Sequence, residues 1–439
     1  MTSLLSIVAH VGEPSPLRTV PNELLSRIFV LLCGCGRPLQ LPYFQGEAPY
    51  QVTISQICSR WRQVALNTAS TLWSNVSVSV SHPYANNYSR CPSIYRKWVG
   101  RAGSLPLTVA LSHYDPNLLR DFVVPFRLRT LDLSLMYREL SALSDLPDLD
   151  VEEFAISMVD FYDDSDLELP QIFMDKTRRL WLHDVYGAMP KSEVMLNVLS
   201  PLWRQLRSLK CGSIQVSLTA WLNILHQAQS LEYCDLTITD AGNGPLVKVS
   251  LCPICIFFNS HLLEVHPDIV IPLIAAPNIT ALAIYSDMGW SSDTYDILKQ
   301  HHKLHQLHEL QLLALKPTLH ITQVLKDAPT VRNLCVNGRS ILDDEGLEGI
   351  ASGRLGRCLT SLDLTDYFGL AGKWLDMIES RQRNVKSMVA QASNWQQLFT
   401  GIREVKLWNV KADESFEGRI ATLKALGTDA GIWGRYREL

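Results

Sequence analysis

An apolar-x-x-apolar-x-apolar pattern recurs along most of this chain, and it limits the fold more than any other feature. The clear instances are Leu128/Leu131/Leu133, Val151/Phe154/Ile156, Thr177/Leu180/Leu182, Leu206/Leu209/Cys211 and Leu231/Cys234/Leu236. A weaker one stands at Ile254/Phe257/Asn259. The pattern returns at Ile279/Leu282/Ile284, Leu307/Leu310/Leu312, Val331/Leu334/Val336, Leu359/Leu362/Leu364 and Ile402/Val405/Leu407. Successive central positions lie 23 to 29 residues apart, apart from a last gap of 43. Alternation within each triplet predicts a short strand with one apolar face. The residues between predict a return segment. Neither part can bury its apolar side alone, so neighbouring units must stack.

A period of about 20–29 residues is that of leucine-rich repeats. The chain therefore reads as an irregular α/β solenoid of parallel strands with helical returns. Residues 190–199 and 294–303 are predicted helices in the return position, and 269–274 is ambiguous. The last gap is expected to hold a helix over 371–380 and a second helical stretch near 393–399. Phe416, Ile420 and Leu423 point to a capping helix, since a terminal repeat otherwise exposes its core. Regular repeats of this kind carry an Asn ladder that is mostly absent here. A doubly wound domain would call for a phosphate loop or longer, fully apolar strands, and neither is evident.

Ahead of the repeats, Leu17 to Val76 has a different pattern. It opens Val20-Pro21-Asn22-Glu23-Leu24-Leu25-Ser26-Arg27-Ile28-Phe29. It closes Ile57-Cys58-Ser59-Arg60-Trp61-Arg62-Gln63-Val64-Ala65, followed by Leu72-Trp73. Pro21 suits a first helical turn, and Glu23 sits where the helix dipole favours an acid. Leu24, Leu25, Ile28, Phe29 and Leu32 recur at helical spacing, as do Ile54, Ile57, Cys58, Trp61, Val64 and Ala65 in a second predicted helix. So small a module cannot bury both stripes, and an uncovered apolar remainder marks an interface.

This ordered run of Pro-x-Glu-Leu-Leu-x-x-Ile-Phe, Cys-x-x-Trp and Leu-Trp resembles the F-box. The resemblance implies a three-helix module that docks the Skp-type linker of a cullin–RING ubiquitin ligase. Val20, Pro21, Leu24, Leu25, Ile28, Ile54, Ile57, Cys58, Trp61 and Trp73 are the residues expected to dock it, some of them holding the helices together instead. A Gly/Pro-containing insertion from Cys33 to Tyr50 departs from the pattern. The expected division is a tail over 1–16, the F-box over 17–80, a linker with a short helix over 81–104, and the repeats over 105–439. A helix over 94–101 and a strand over 106–111 make the junction.

The 439 residues include 47% hydrophobic ones, enough for a large core. A net charge of -4 argues against non-specific nucleic-acid binding as the main activity. Ten cysteines without a dense framework point to a reducing compartment, cytosol or nucleus. The stretch Leu4 to Ala9 makes a poor signal peptide, and no segment approaches the ~20 apolar residues of a membrane helix.

Few residues call for chemistry. Cys252, Cys255, His261 and His266 lack a zinc finger's spacing and read as buried thiols and ordinary histidines. His301, His302, His305 and His308 cluster, but read as a solvated helix face. Asp163, Asp164, Asp166 and Glu168 lack the spacing of a calcium loop. No nucleophile elbow, phosphate loop or zinc-protease motif is present. The chain is therefore expected not to be an enzyme and to need no cofactor or metal.

Polar residues between the buried strand positions should line the other sheet face and hold a target protein. These are Arg179, Trp181, His183, Lys210, Tyr233, Asp235, Glu309, Gln311, Asn333, Asn337, Asp363, Glu404, Lys406 and Trp408. The expected function is substrate recognition within a Skp–cullin–F-box ligase, with no nucleic-acid or membrane partner. A non-ligase scaffold built on the same two surfaces is the alternative.

Overall fold

The computed structural model describes residues 19–33, 39–41, 50–67, 69–79, 96–97, 99–112, 126–136, 151–160, 176–184, 196–238, 249–250, 255–260, 267–286, 291–314, 320–337, 343–365, 371–391, 399–408 and 414–433. The chain is a mixed α/β protein of parallel strands with helical connections, compatible with an α/β solenoid. It forms two compact units, Met1–Leu167 and Glu168–Leu439. The break falls inside the repeat series rather than ahead of it.

In the first unit, helices α1 (Asn22–Leu32), α2 (Tyr50–Ile57) and α3 (Ser59–Asn67) precede a 3₁₀ turn, Ser70–Trp73. Strands β1 (Leu39–Leu41), β2 (Asn75–Ser79), β3 (Leu107–Ser112), β4 (Leu128–Met136) and β5 (Glu153–Asp160) pair in that order, all parallel. The single helix expected over Ile54 to Ala65 is two. The backbone leaves helix at Cys58, so Ile54, Val64 and Ala65 turn inward while Ile57 and Cys58 face solvent. The insertion contributes β1, and β2 lies at the end of the stretch expected to be the F-box, 17–80. Its apolar series, Trp73/Val76/Val78, is one more copy of the repeat: Val76 registers with Val109, Val109 with Leu131, and Leu131 with Phe154. Trp73 is fully buried, its indole N–H donates to the Ala65 carbonyl at 2.8 Å, and Arg101 lies 4.7 Å over its ring.

The second unit holds β6 (Arg179–Asp184), β7 (Ser208–Val216), β8 (Tyr233–Ile238), β10 (Cys255–Ser260), β12 (Ala281–Ser286), β13 (Glu309–Ala314), β14 (Asn333–Asn337), β15 (Ser361–Thr365), β16 (Glu404–Trp408) and β17 (Asp429–Trp433), paired in that order. The short strands β9 (Val249–Ser250) and β11 (Ile274–Ala275) pair separately. The leucine positions register strand to strand, as in Leu310 with Leu334, Leu362 and Val405. One register differs from expectation. Ile256 and Phe258, not Phe257 and Asn259, align with Cys234/Leu236 and Leu282/Ile284. The run Cys-Ile-Phe-Phe is apolar at both parities, so a one-residue slip leaves no trace in the pattern.

Return helices α4 (Leu218–Gln227), α5 (Ser292–His301), α6 (Ile321–Asp327), α7 (Asp344–Ala351), α8 (Ala371–Gln391) and α9 (Glu414–Ala425) lie between strands. Three start on a side-chain cap: Ser217, Ser291 and Asp343 accept from the amides of Ala220, Thr294 and Gly346. The stretch at 269–274 is the end of a short helical turn, Pro267–Val270, then a 3₁₀ turn, Ile271–Leu273, running into β11. Of the helix expected over 190–199, residues 196–199 are described, and 196–198 are helical. The stretch 393–398 lies outside the described residues. The expected C-terminal cap, α9, is followed by a further strand, β17, so the helix belongs to one more repeat.

At the strand entries the main chain forms its own ladder. The Arg178 carbonyl accepts from the amides of Arg207 and Ser208, at 2.8 and 3.0 Å. The same two-for-one bonding recurs at the carbonyls of Arg207, Thr280, His308, Arg332 and Thr360. Threonine hydroxyls add to it: Thr330, Thr360 and Thr400 donate to the Leu307, Arg332 and Leu359 carbonyls.

Gly353 has a φ of +74, and a Cβ placed there would lie 2.3 Å from the Phe399 ring. Both the left-handed backbone and the contact penalise any side chain. Gly353→Ala should lower stability by about 3 kcal/mol, read as the urea midpoint multiplied by its slope. A change below ~1 kcal/mol would mean that the ring moves aside freely.

Candidate functional site

Two surfaces are built from the residues that the sequence singles out. The first is the outer face of α1. Leu25 and Phe29 are fully buried, with Phe29 packed on Trp61 at 4.9 Å between ring centroids. Leu24, Ile28, Leu31 and Leu32 lie on the opposite side at i, i+4, i+7 and i+8. Leu24 is 49% exposed and Leu31 70%. Tyr50 and Ile57 are exposed as well. Among the described residues, six of the nine exposed large hydrophobics fall between Leu24 and Ile57. The helix is thus apolar on two sides, and only one of them is used by the fold.

The residues expected to dock a partner separate on this basis. Leu25, Ile54 and Trp73 are buried, in the place of the members expected to hold the helices together. Pro21, Leu24, Ile28, Ile57 and Cys58 are exposed, and Val20 and Trp61 half-buried. Leu31, Leu32 and Tyr50 belong to the same exposed group and were not in the expected set, although Leu31 stands seven residues from Leu24. Arg60 ties the module together: it donates to the Val20 carbonyl, and to Asn22 Oδ1 at 3.1 and 3.3 Å from two of its nitrogens.

The second surface is the polar sheet face of the Glu168–Leu439 unit. Arg179, Tyr233, Glu309, Asn333 and Glu404 occupy one register row across the strands. Trp181, Lys210, Asp235, Gln311, Asp363 and Lys406 occupy the next. Asn337 and Trp408 each register with Thr365 in a third. His183 is half-buried near the end of β6. Trp181 is 40% exposed with Lys210 Nζ 5.9 Å from its ring, whereas Trp408 is half-buried. Gln311 donates to Glu309 at 2.7 Å, Ser361 to Glu404 at 3.2 Å, and Lys406 lies 3.0 Å from Glu404.

Lys406 lowers the carboxyl pKa of Glu404 on this face, but two other carboxyls there run against stability. Burial raises the carboxyl pKa of Asp235 over the opposing pull of Lys210. Burial likewise raises that of Asp363, against a hydrogen bond from Trp408 and the charge of Lys406. Cys335, between Gln311 and Asp363 in its row, is pushed up to about 12 by burial, Asp363 and Glu309, so its thiol is inert at neutral pH. A carboxyl raised in the folded state adds stability below its ordinary pKa and loses it as pH rises through the folded value. At neutral pH Asp235 therefore costs stability. Asp235→Asn should raise the thermal midpoint at pH 7, with the gain shrinking as pH falls into the ordinary carboxylate range. A lower midpoint at pH 7 would show that Lys210 dominates.

No family model and no curated sequence matches the chain. The structure does separate the histidines at 301–308. The helix α5 stops at His301, so His305 and His308 do not continue its face. His302 is buried with Nδ1 3.1 Å from the Ala276 carbonyl, and burial lowers its pKa. Among the described residues, no group of three or more His, Cys, Asp or Glu could hold a metal. Cys252, His261, His266 and the acidic run Asp163–Glu168 lie outside the described residues, as does the side-chain environment of Cys255. No described helix is long and apolar enough to cross a membrane.

Proposed function

We propose that this chain is a substrate-receptor subunit of a Skp–cullin–F-box ubiquitin ligase. The observation that carries the reading is the unused apolar side of α1, Leu24, Ile28, Leu31 and Leu32. It stands within the same sequence that resembles the F-box. Exposed apolar side chains concentrated on one short helical module are costly in water unless a partner covers them. The Skp-type linker is the occupant that the resemblance implies. The polar sheet face supplies the target surface, because Asp235 and Asp363 sit there at a cost to stability and Trp181 stands exposed among charges. Trp, Tyr and Arg are the side chains that binding hot spots favour. On this reading the chain does no bond chemistry; it raises the local concentration of a target beside a charged ubiquitin carrier.

The test is reconstitution. Purified chain mixed with a purified Skp-type linker should co-elute in gel filtration, and addition of the cullin should shift the complex again. Failure of the first step rejects the docking role. Retention of the linker without the cullin turns the reading to a scaffold outside the ligase.

A further inference from the structure

We propose that the strand-entry edge of the Glu168–Leu439 unit is a binding surface for an acidic polypeptide segment. The edge is made of the turns that lead from each return segment into the next strand: 176–178, 199–207, 228–232, 276–280, 302–308, 328–332, 352–360, 399–403 and 426–428. These turns hold nine Arg or Lys residues and one acidic residue, Glu232, in a chain whose net charge is -4. The cations are Lys176, Arg178, Arg204, Arg207, Lys303, Arg332, Arg354, Arg357 and Arg403.

Their places follow from the backbone. Arg178, Arg207, Arg332 and Arg403 all stand one position before the first register row, where the main-chain ladder fixes each entry to its neighbour. The ladder is made by main-chain atoms and by the uncharged hydroxyls of Thr330, Thr360 and Thr400, so it asks for no charged side chain there. A cation near a helix C-terminus gains from the dipole, but that effect fades beyond the last turn. Arg204, Lys303, Arg332 and Arg403 are exposed and make no side-chain hydrogen bond or ion pair among the described residues. At one end of the edge, Arg178, Arg207, Gln205, Gln229, Ser230 and Glu232 line an open hollow of about 530 Å³. Arg178 is held there by Gln205 at 3.1 Å, and Arg207 by Glu232 at 3.4 Å.

The occupant follows from what the edge offers and lacks. Guanidinium groups pair with carboxylates through two parallel bonds. Arg332 and Arg403 are two strands apart, about 10 Å, a separation that an extended peptide spans in three residues. Single-stranded nucleic acid is held by aromatic platforms beneath its bases. These turns present no exposed Trp, Tyr or Phe, since Trp203 and Phe399 are buried. The inference does not depend on membership of a ligase.

The experiment uses the full chain and a fluorescein-labelled oligoglutamate peptide, followed by anisotropy at about 50 and 300 mM salt. The wild type should bind at low salt and release at high salt. The double variant R332E/R403E should bind about tenfold more weakly or worse, and R332Q/R403Q should lie between. Lys386→Glu, an exposed site on α8, should bind as the wild type does. Far-UV circular dichroism confirms that each variant is folded. Three results overturn the proposal: no binding by the wild type, equal binding by R332E/R403E, or tighter binding of a labelled oligouridylate than of oligoglutamate at the same salt. Variants of Leu24 and Ile28 that lose the Skp-type linker should still bind oligoglutamate, which keeps the two readings apart.

Discussion

Arg381→Met should unfold the C-terminal repeats at markedly lower urea, with a loss of about 3–5 kcal/mol. Arg381 is fully buried in the middle of α8, and among the described residues no carboxylate pairs with it. Its charge is solvated by main-chain carbonyls instead. It donates to Thr400 at 2.9 Å, Ile350 at 2.7 Å and Gly356 at 2.8 Å, and lies 5.0 Å over the Phe399 ring. These acceptors come from the end of α7, the turn before β15 and the turn before β16, so one side chain joins three successive repeats. Burial lowers its pKa to about 10, which shows how much of its hydration is lost. The neighbouring Gln382 works in parallel, donating to the Ile402 carbonyl at 2.7 Å and accepting from the Ile402 amide at 3.2 Å. Methionine fills similar space but leaves the carbonyls without these charge-assisted donors. Arg381→Lys should recover little, because a single ammonium cannot reach three divergent acceptors as a planar fork does. A loss under ~1 kcal/mol for Arg381→Met would mean that the carbonyls find water or other donors.

Nothing in the sequence marks Arg381. It lies within a helix whose first part alone is apolar enough to predict, and α8 runs eleven residues past the expected end at Ser380. The repeat strands were legible because each buries Leu, Ile or Val at period two, and Leu131, Leu310, Leu334 and Leu362 all sit where that period puts them. Register does not follow from the pattern at Cys255–Ser260, where Cys-Ile-Phe-Phe is apolar at both parities. The first and last repeats are not marked either. Trp73/Val76/Val78 stand inside the stretch expected to be the helical module, 17–80, and Ala430/Ile432 are too small or too few to stand out. At the helical module, spacing identified the right helices but not their two sides. Leu24 and Leu25 are identical in type and adjacent, and only packing decides that one is 49% exposed and the other internal. On the sheet face, period two named the row members, yet burial of Asp235 and Asp363 depends on side chains of the adjacent repeats, which the pattern of one repeat does not contain.

That difference between adjacent leucines gives the sharpest test of docking. The double substitution L24D/I28D places two charges on the outer face of α1, where the fold makes no use of either side chain. The chain should stay folded, with its thermal midpoint close to the wild type, and capture of a purified Skp-type linker should fall by about a hundredfold or more. Leu25→Ala should do the reverse at first order. It opens a cavity beneath α1, near Phe29 and Trp61, and costs about 2–4 kcal/mol of stability. Any loss of linker binding by Leu25→Ala should then track unfolding and recover at lower temperature. Surface plasmon resonance against immobilised linker, run beside thermal unfolding of each variant, separates the two. If L24D/I28D binds the linker as tightly as the wild type, the exposed stripe is not the docking surface. If instead Leu25→Ala stays fully folded and still loses the linker, the buried side of α1 must open on binding, and the division between core and contact made from the free chain is the part that fails.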